Sequence, residues 1–103
     1  MMEVDTVKTA FAQHSSRISV HIVSDATGTG AERLTSAALV QFRKQLKTTF
    51  IRHSFVKTTK QLNRILHEAE AQQGIVVYTV TDKKLREWLE QQEYDRNVEI
   101  IDM

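Results

Sequence analysis

The chain has 103 residues, 41% of them hydrophobic and 26% charged, with no cysteine and 14 Lys and Arg against 13 Asp and Glu for a formal net charge of +1. That balance fits one small globular domain, and it excludes a disulfide framework, a thiolate metal site and a cysteine nucleophile. It also lacks the basic surplus that nucleic acid or an acidic membrane would call for, so neither is expected as a partner.

Residues 1–16, MMEVDTVKTAFAQHSS, read as a polar leader that is expected to be flexible. The leader has no apolar core of signal-peptide length, and nowhere do ~18 consecutive apolar residues occur, so a cytoplasmic location is expected. Proline is absent and glycine occurs three times, which leaves no linker composition, and there is no internal repeat. Residues 17–103 are therefore expected to form a single domain. At this length folding removes ~60 to 70% of the unfolded chain's surface from water, enough for one core without much to spare.

Arg17 to Ser24 reads as the first strand, because Ile18, Val20, Ile22 and Val23 are the β-branched residues that a buried parallel strand prefers. From Gly30 to about Arg43 the period becomes helical, with Ala31, Leu34, Ala37, Ala38 and Phe42 sharing one broad face. Thr48 to Val56 is the second strand. Thr58 stands three residues before Gln61, the spacing of a capping box, and opens a helix with Leu62, Ile65, Leu66 and Ala69 inward. Gly74 falls where a left-handed C-cap is expected, and Ile75 to Val80 is apolar enough to be a central strand. Asp82 can cap a third helix that buries Leu85, Trp88 and Leu89, and Val98 to Ile101 is a last short strand. The order β-α-β-α-β-α-β predicts an α/β fold, a three-layer Rossmann-like or flavodoxin-like domain on a parallel four-stranded sheet. An exposed edge in so small a sheet adds the expectation of self-association as a homodimer.

In such sheets ligands sit beyond the carboxyl ends of the strands, where Ser24-Asp25-Ala26-Thr27-Gly28-Thr29-Gly30-Ala31-Glu32 falls. Two readings compete. In the plainer one, Thr29 and Glu32 form a capping box and Gly28 and Gly30 relieve a tight turn. In the other, free amides at the helix start and the hydroxyls of Ser24, Thr27 and Thr29 hold an anion, with Gly28 and Gly30 in the loop. Asp25 complicates an anion site and hints at acid-base or metal-linked work, which makes it the candidate catalytic residue.

The glycine spacing does not match the dinucleotide fingerprint, and no Gly-Lys-Ser or Gly-Lys-Thr occurs, so a Walker-type loop is absent from the sequence. Thr27-Gly28-Thr29 is slightly similar to the phosphate loop of flavodoxins, yet Thr81-Asp82-Lys83 stands where those proteins flank flavin with aromatics. A receiver domain would need a second acid after the first strand. His14, His21, His53 and His67 form no metal-binding spacing, and no metal is expected. His53 could approach the first-strand loop as a proton carrier, whereas Arg52, on the opposite strand face, could contact phosphate. Thr79, Thr81 and Asp82 are candidates to line the same crevice, although Thr81 or Asp82 as a helix cap is the commoner outcome.

Taken together, IVSDATGTGAERLTSAALVQF, FVKTTKQLNRIL, GIVVYTVTDKKLREWL and VEIIDM resemble the N-terminal part of the pyruvate, phosphate dikinase regulatory proteins. These are also called phosphoenolpyruvate synthase regulatory proteins or bifunctional kinase-pyrophosphorylases. The resemblance spans about Arg17 to Met103 and is most specific in VSDATG, AE and AALVQF. It implies phosphorylation of a threonine beside the catalytic histidine of pyruvate phosphate dikinase or phosphoenolpyruvate synthase, with ADP as donor. It also implies removal of that phosphate by inorganic phosphate, yielding pyrophosphate.

ADP and phosphate are thus implied by the family, though no cofactor is assigned to this chain. Ser24, Asp25, Thr27, Gly28, Ala31 and Glu32 match the family loop, which more usually reads SDSTGETAE or SDGTGITAE; Thr29 and Gly30 depart from it. The family's Gly-rich, lysine-containing nucleotide loop lies in a second half with no counterpart here. The chain is accordingly expected to be a fragment, a truncated product or a free-standing remnant, inactive as a kinase alone. The alternatives are a non-enzymatic interaction or oligomerisation module and a flavodoxin-like binder of phosphate or flavin mononucleotide.

Overall fold

A computed structural model describes residues 17–38 and 47–103. The expected leader at 1–16, and the stretch over which the first helix was expected to run on to Arg43, lie outside the described residues. The elements in chain order are β1 (Arg17–Ser24), α1 (Thr29–Ala38), β2 (Lys47–His53), α2 (Thr59–Ala71), β3 (Ile75–Thr79), α3 (Lys83–Asp95) and β4 (Glu99–Asp102). The expected alternation is present. β2 ends three residues earlier than its apolar run suggests, because Phe55 takes a left-handed turn at φ 57°.

All strand pairs are parallel, in the order β2-β1-β3-β4. The sequence leaves Rossmann and flavodoxin orders open, and the structure adopts the flavodoxin-like one, in which the order reverses at β1. The two most apolar strands take the centre, where both faces are covered. On one face Ile18, Val20 and Ile22 of β1 pack with Ile75 and Val77 of β3, Ile101 of β4 and Ala31 of α1. On the other, Val23, Val76 and Tyr78 meet Leu62, Ile65, Leu66 and Ala69 of α2 and Leu85 and Leu89 of α3. Trp88 packs partly buried against that second cluster. Each fully buried Leu or Ile contributes roughly 1.5–3 kcal/mol relative to exposure, so these two clusters hold the layers together.

Thr58 and Gln61 form the complete capping box of α2: the Thr58 hydroxyl accepts from the Gln61 N–H at 3.1 Å and the Gln61 carboxamide accepts from the Thr58 N–H at 3.1 Å. Asp82 caps α3, its carboxylate accepting from the Leu85 N–H at 3.0 Å.

The expectation for Gly74 needs correcting. The left-handed residue after α2 is Gln73, at φ 53°. Gly74 is needed instead for a close approach, since a Cβ there would sit 2.7 Å from the Ser19 carbonyl oxygen. One buried polar atom has no partner among the described residues, the Tyr78 hydroxyl. Burial, reinforced by Asp102, pushes its pKa up to about 12, so it stays protonated at neutral pH. No helix among the described residues is long and apolar enough to cross a membrane.

Candidate functional site

The order reversal at β1 places the β1–α1 loop beside the β3–α3 turn, because Ser24 is in register with Thr79 at the carboxyl ends of the paired central strands. Between them opens a crevice of about 400 Å³ lined by Ser24, Asp25, Ala26, Thr27, Gly28, Gly30, Ala31, Leu34, Thr79, Thr81 and Met103. Most of the loop singled out from sequence therefore meets in one place, with Thr79 added from the end of β3 and Thr81 from the turn after it. Thr29 lies outside this crevice, on the outer side of the first turn of α1 with Glu32 and Arg33.

The loop is held by bonds from several elements. The Ser24 hydroxyl accepts from the Ala26 N–H at 2.9 Å, closing a tight local turn. The segment after β2 pins the other side: the Val56 N–H donates to the Ser24 carbonyl at 2.9 Å and the Phe55 N–H to the Ala26 carbonyl at 2.8 Å. The Ser54 hydroxyl donates to the Thr27 carbonyl at 2.6 Å. In the sequence Ser54 and Phe55 read only as the tail of a strand, so their hold on the loop has no local signal.

Gly28 is needed twice over. Its φ of +81° lies in the region that favours glycine, and a Cβ would press against the Arg52 stem at 3.3 Å. Its carbonyl accepts from the Glu32 N–H at 3.0 Å and closes the first turn of α1. The Thr29–Glu32 capping box is therefore not the arrangement present. Thr29 already lies inside the helix, and the Glu32 carboxylate turns to Arg52, 3.2 Å from Nη1. The same Nη1 reaches the Thr29 hydroxyl at 3.4 Å, so a cation from β2 stands over the first turn of α1. The helix start thus combines a partly positive dipole end, hydroxyls and a half-exposed guanidinium, which suits an anion.

Asp25 is turned toward the other loop. Its Oδ2 accepts from the Thr81 hydroxyl at 2.7 Å, the Thr81 N–H at 2.9 Å and the Asp82 N–H at 3.1 Å. Burial alone would raise this carboxyl, but the hydrogen bonds from Thr81 and Asp82 outweigh it and hold it below the ordinary carboxylate value. Asp25 is ionised at neutral pH. A second crevice, of about 470 Å³, opens on the far side of this bridge and is lined by Asp25, Ala26, Val56, Lys57, Thr81, Asp82 and Leu85. Asp82 thus belongs to the neighbouring crevice and to the α3 cap.

His53 also departs from expectation. Strand alternation does separate it from Arg52, but it lines neither crevice and faces α2 instead. Its Nε2 lies 2.9 Å from Nδ1 of the fully buried His21, and the rings stack with centroids 5.2 Å apart. Nε2 of His21 lies 2.8 Å from the Gln72 carboxamide oxygen, which makes that nitrogen the donor and leaves Nδ1 to accept from His53. Burial lowers the His53 pKa, with His21 adding to the effect. Only the β1–β2 register, which sets Val23 opposite His53, brings residues so distant in sequence together.

The sequence model of the family described as Kinase/pyrophosphorylase matches residues 20–103. Among curated relatives, a protein of Geotalea uraniireducens named as a pyruvate, phosphate dikinase regulatory protein is 36% identical over 84 residues, covering 82% of this chain and 31% of the relative. A like-named protein of Desulfitobacterium hafniense is 34% identical over 84 residues, covering 82% of this chain and 30% of its own length. A third, of Maricaulis maris, is 38% identical over 73 residues, covering 69% and 25%. The chain spans less than a third of the length of these relatives. With the family match running through the switch-point loop and on across β4, the chain belongs to the kinase/pyrophosphorylase family.

Proposed function

We propose that this chain is the α/β portion of a cytoplasmic regulator of pyruvate phosphate dikinase or phosphoenolpyruvate synthase. In this reading the Ser24–Gly30 loop holds the phosphoryl group, phosphate or pyrophosphate handled in that regulation. The observation that carries the reading is the place of the loop. Ser24, Thr27, Gly28 and Gly30 line a crevice at the switch point, with the start of α1 and Arg52 beside it. Phosphoryl transfer is catalysed mainly by positioning and charge stabilisation, and such a seat offers both.

In this reading the whole regulator transfers a phosphoryl group from ADP to a dikinase threonine and removes it with inorganic phosphate. The sequence contains no Gly-Lys-Ser or Gly-Lys-Thr, so the share proposed for this chain is anion holding and recognition of the dikinase, not nucleotide binding. Titration of phosphate or pyrophosphate into ¹⁵N-labelled protein tests the reading. The amides of Thr27 to Ala31 are expected to shift together at millimolar anion, and their standing still while the rest of the spectrum is intact would overturn it.

A further inference from the structure

We infer that Asp25 is a positioning residue, a charged strap that ties the β3–α3 turn to the β1–α1 loop and sets the shape of the switch-point groove. Three donors converge on a single carboxylate oxygen, the Thr81 hydroxyl at 2.7 Å and the Thr81 and Asp82 N–H groups at 2.9 and 3.1 Å. These partners are 56 and 57 residues away in sequence, so the contact is purely tertiary. The two crevices share Asp25, Ala26 and Thr81, which makes the strap the wall between them.

Both ends of the strap are anchored. At one end Ala26 is held by the Ser24 hydroxyl and by the Phe55 N–H. At the other, Asp82 caps α3 through the Leu85 N–H. Moving Asp25 would therefore disturb the start of α3 and the loop before α1 at once.

Two competing roles fit less well. A general base works best with a pKa near the operating pH, and the hydrogen bonds on Asp25 hold its carboxyl far below that. A metal ligand needs companions, and no group of three or more His, Cys, Asp or Glu is gathered among the described residues. The neighbouring acid, Asp82, spends its carboxylate on its own helix cap. The inference concerns the same groove as the proposed anion seat, but it holds whether or not phosphate occupies that groove.

Amide hydrogen exchange on the ¹⁵N-labelled chain tests it. Asp25→Asn keeps an acceptor oxygen but loses the charge, and charge-assisted bonds are about twice as strong as neutral ones. Exchange at the Thr81 and Asp82 amides should quicken on the order of tenfold in Asp25→Asn and further in Asp25→Ala, while the Val76 to Tyr78 amides keep their rates. In the unsubstituted protein the Thr81 amide shift should titrate with a midpoint below that of an ordinary Asp, and Asp25→Asn should abolish the titration. Thr81→Val should weaken the strap through loss of the hydroxyl, and Thr81→Ser should restore it.

Unchanged exchange at Thr81 and Asp82 in both Asp25 variants overturns the strap, as does equal acceleration of Val76 to Tyr78. A phosphate titration of the same samples separates this result from the anion reading. If Asp25→Asn removes phosphate shifts but leaves Thr81 and Asp82 protected, Asp25 acts on ligand and the strap is wrong. If exchange quickens as expected and phosphate moves nothing in either protein, the strap stands and the anion reading falls.

Discussion

Two helices of this domain begin with the same spacing, Thr29-x-x-Glu32 and Thr58-x-x-Gln61, and they begin differently. At Thr58 the backbone is extended, at φ −131° and ψ 153°, and hydroxyl and carboxamide satisfy each other's backbone amides. At the start of α1 the residue before the helix is Gly28 at φ +81°, and its carbonyl closes the first turn. The Glu32 side chain goes to Arg52. Two things differ between the starts: a glycine that permits a turn no other residue takes easily, and a cation from β2 that competes for the glutamate. At α1 the Thr29 N–H turns to the Thr27 hydroxyl at 3.4 Å and the Glu32 N–H to the Gly28 carbonyl, so the side chains of Thr29 and Glu32 are left to face Arg52. The shared spacing conceals this, because a capping box is a local pattern and Arg52 arrives from another strand.

The largest effect that could break this contrast belongs to Gly28. Gly28→Ala puts an L side chain at φ +81° and against the Arg52 stem at 3.3 Å. The expected loss is about 1–2 kcal/mol in urea unfolding. No loss would mean that the loop has freedom to refold around a Cβ, and the special geometry of the α1 start would be discarded.

Next comes Thr58→Ala, which removes a formed cap and should cost about 1 kcal/mol in the same assay. Glu32→Ala should cost less, about 0.5 kcal/mol, because the Arg52–Glu32 pair is half exposed and no capping bond is lost with it. If Glu32→Ala costs as much as Thr58→Ala, the two starts are energetically alike in solution. A double-mutant cycle with Arg52→Ala would then reveal whether the pair or a cap is responsible.

The gentlest test is pH. Ser54, which holds the α1 loop through Thr27, directly follows His53. The folded pKa of His53 is lowered from 6.5 by burial first and His21 second, with Glu68 opposing and Arg64 assisting. Folding therefore favours the neutral ring. The penalty fades as pH rises above about 6.5, and stability is lost as pH falls through that value toward the lower folded pKa, since the unfolded chain binds the proton more readily. The urea midpoint should drop between about pH 7.5 and about pH 5.5, and His53→Gln should flatten the drop. Equal slopes in the two proteins would show that the pair is not what senses the proton.

Much of the fold was legible in the residues. The β-branched runs at Ile18 to Val23 and Ile75 to Val80, and the inward stripe Leu62, Ile65, Leu66 and Ala69, obey periods that any chain must obey to bury one face. Thr58 and Asp82 as caps were legible for the same reason, since their partners lie three residues away. The candidate loop was legible as a place, because the β-α alternation sets the carboxyl end of β1 at a crevice.

The roles within the loop were less legible. Thr29 and Glu32 matched a local pattern that a distant arginine overrode. Gly74 looked like a left-handed cap, although its need arises from the Ser19 carbonyl on a neighbouring strand. The position of His53 near the end of β2 suggests the loop, but the alternation of that strand sends it to His21.

By itself, then, the sequence determined which segments are strands and helices, which of their faces are apolar, that the strands are parallel, and where the candidate loop falls. These follow from side-chain period and from interactions within a few residues. The tertiary structure alone decided the strand order β2-β1-β3-β4, the Asp25 strap to Thr81 and Asp82, the Arg52 contact with Glu32 and the His21–His53 pair. Each of these joins residues that only sheet register and crossover direction bring together, and neither leaves a trace in local periodicity.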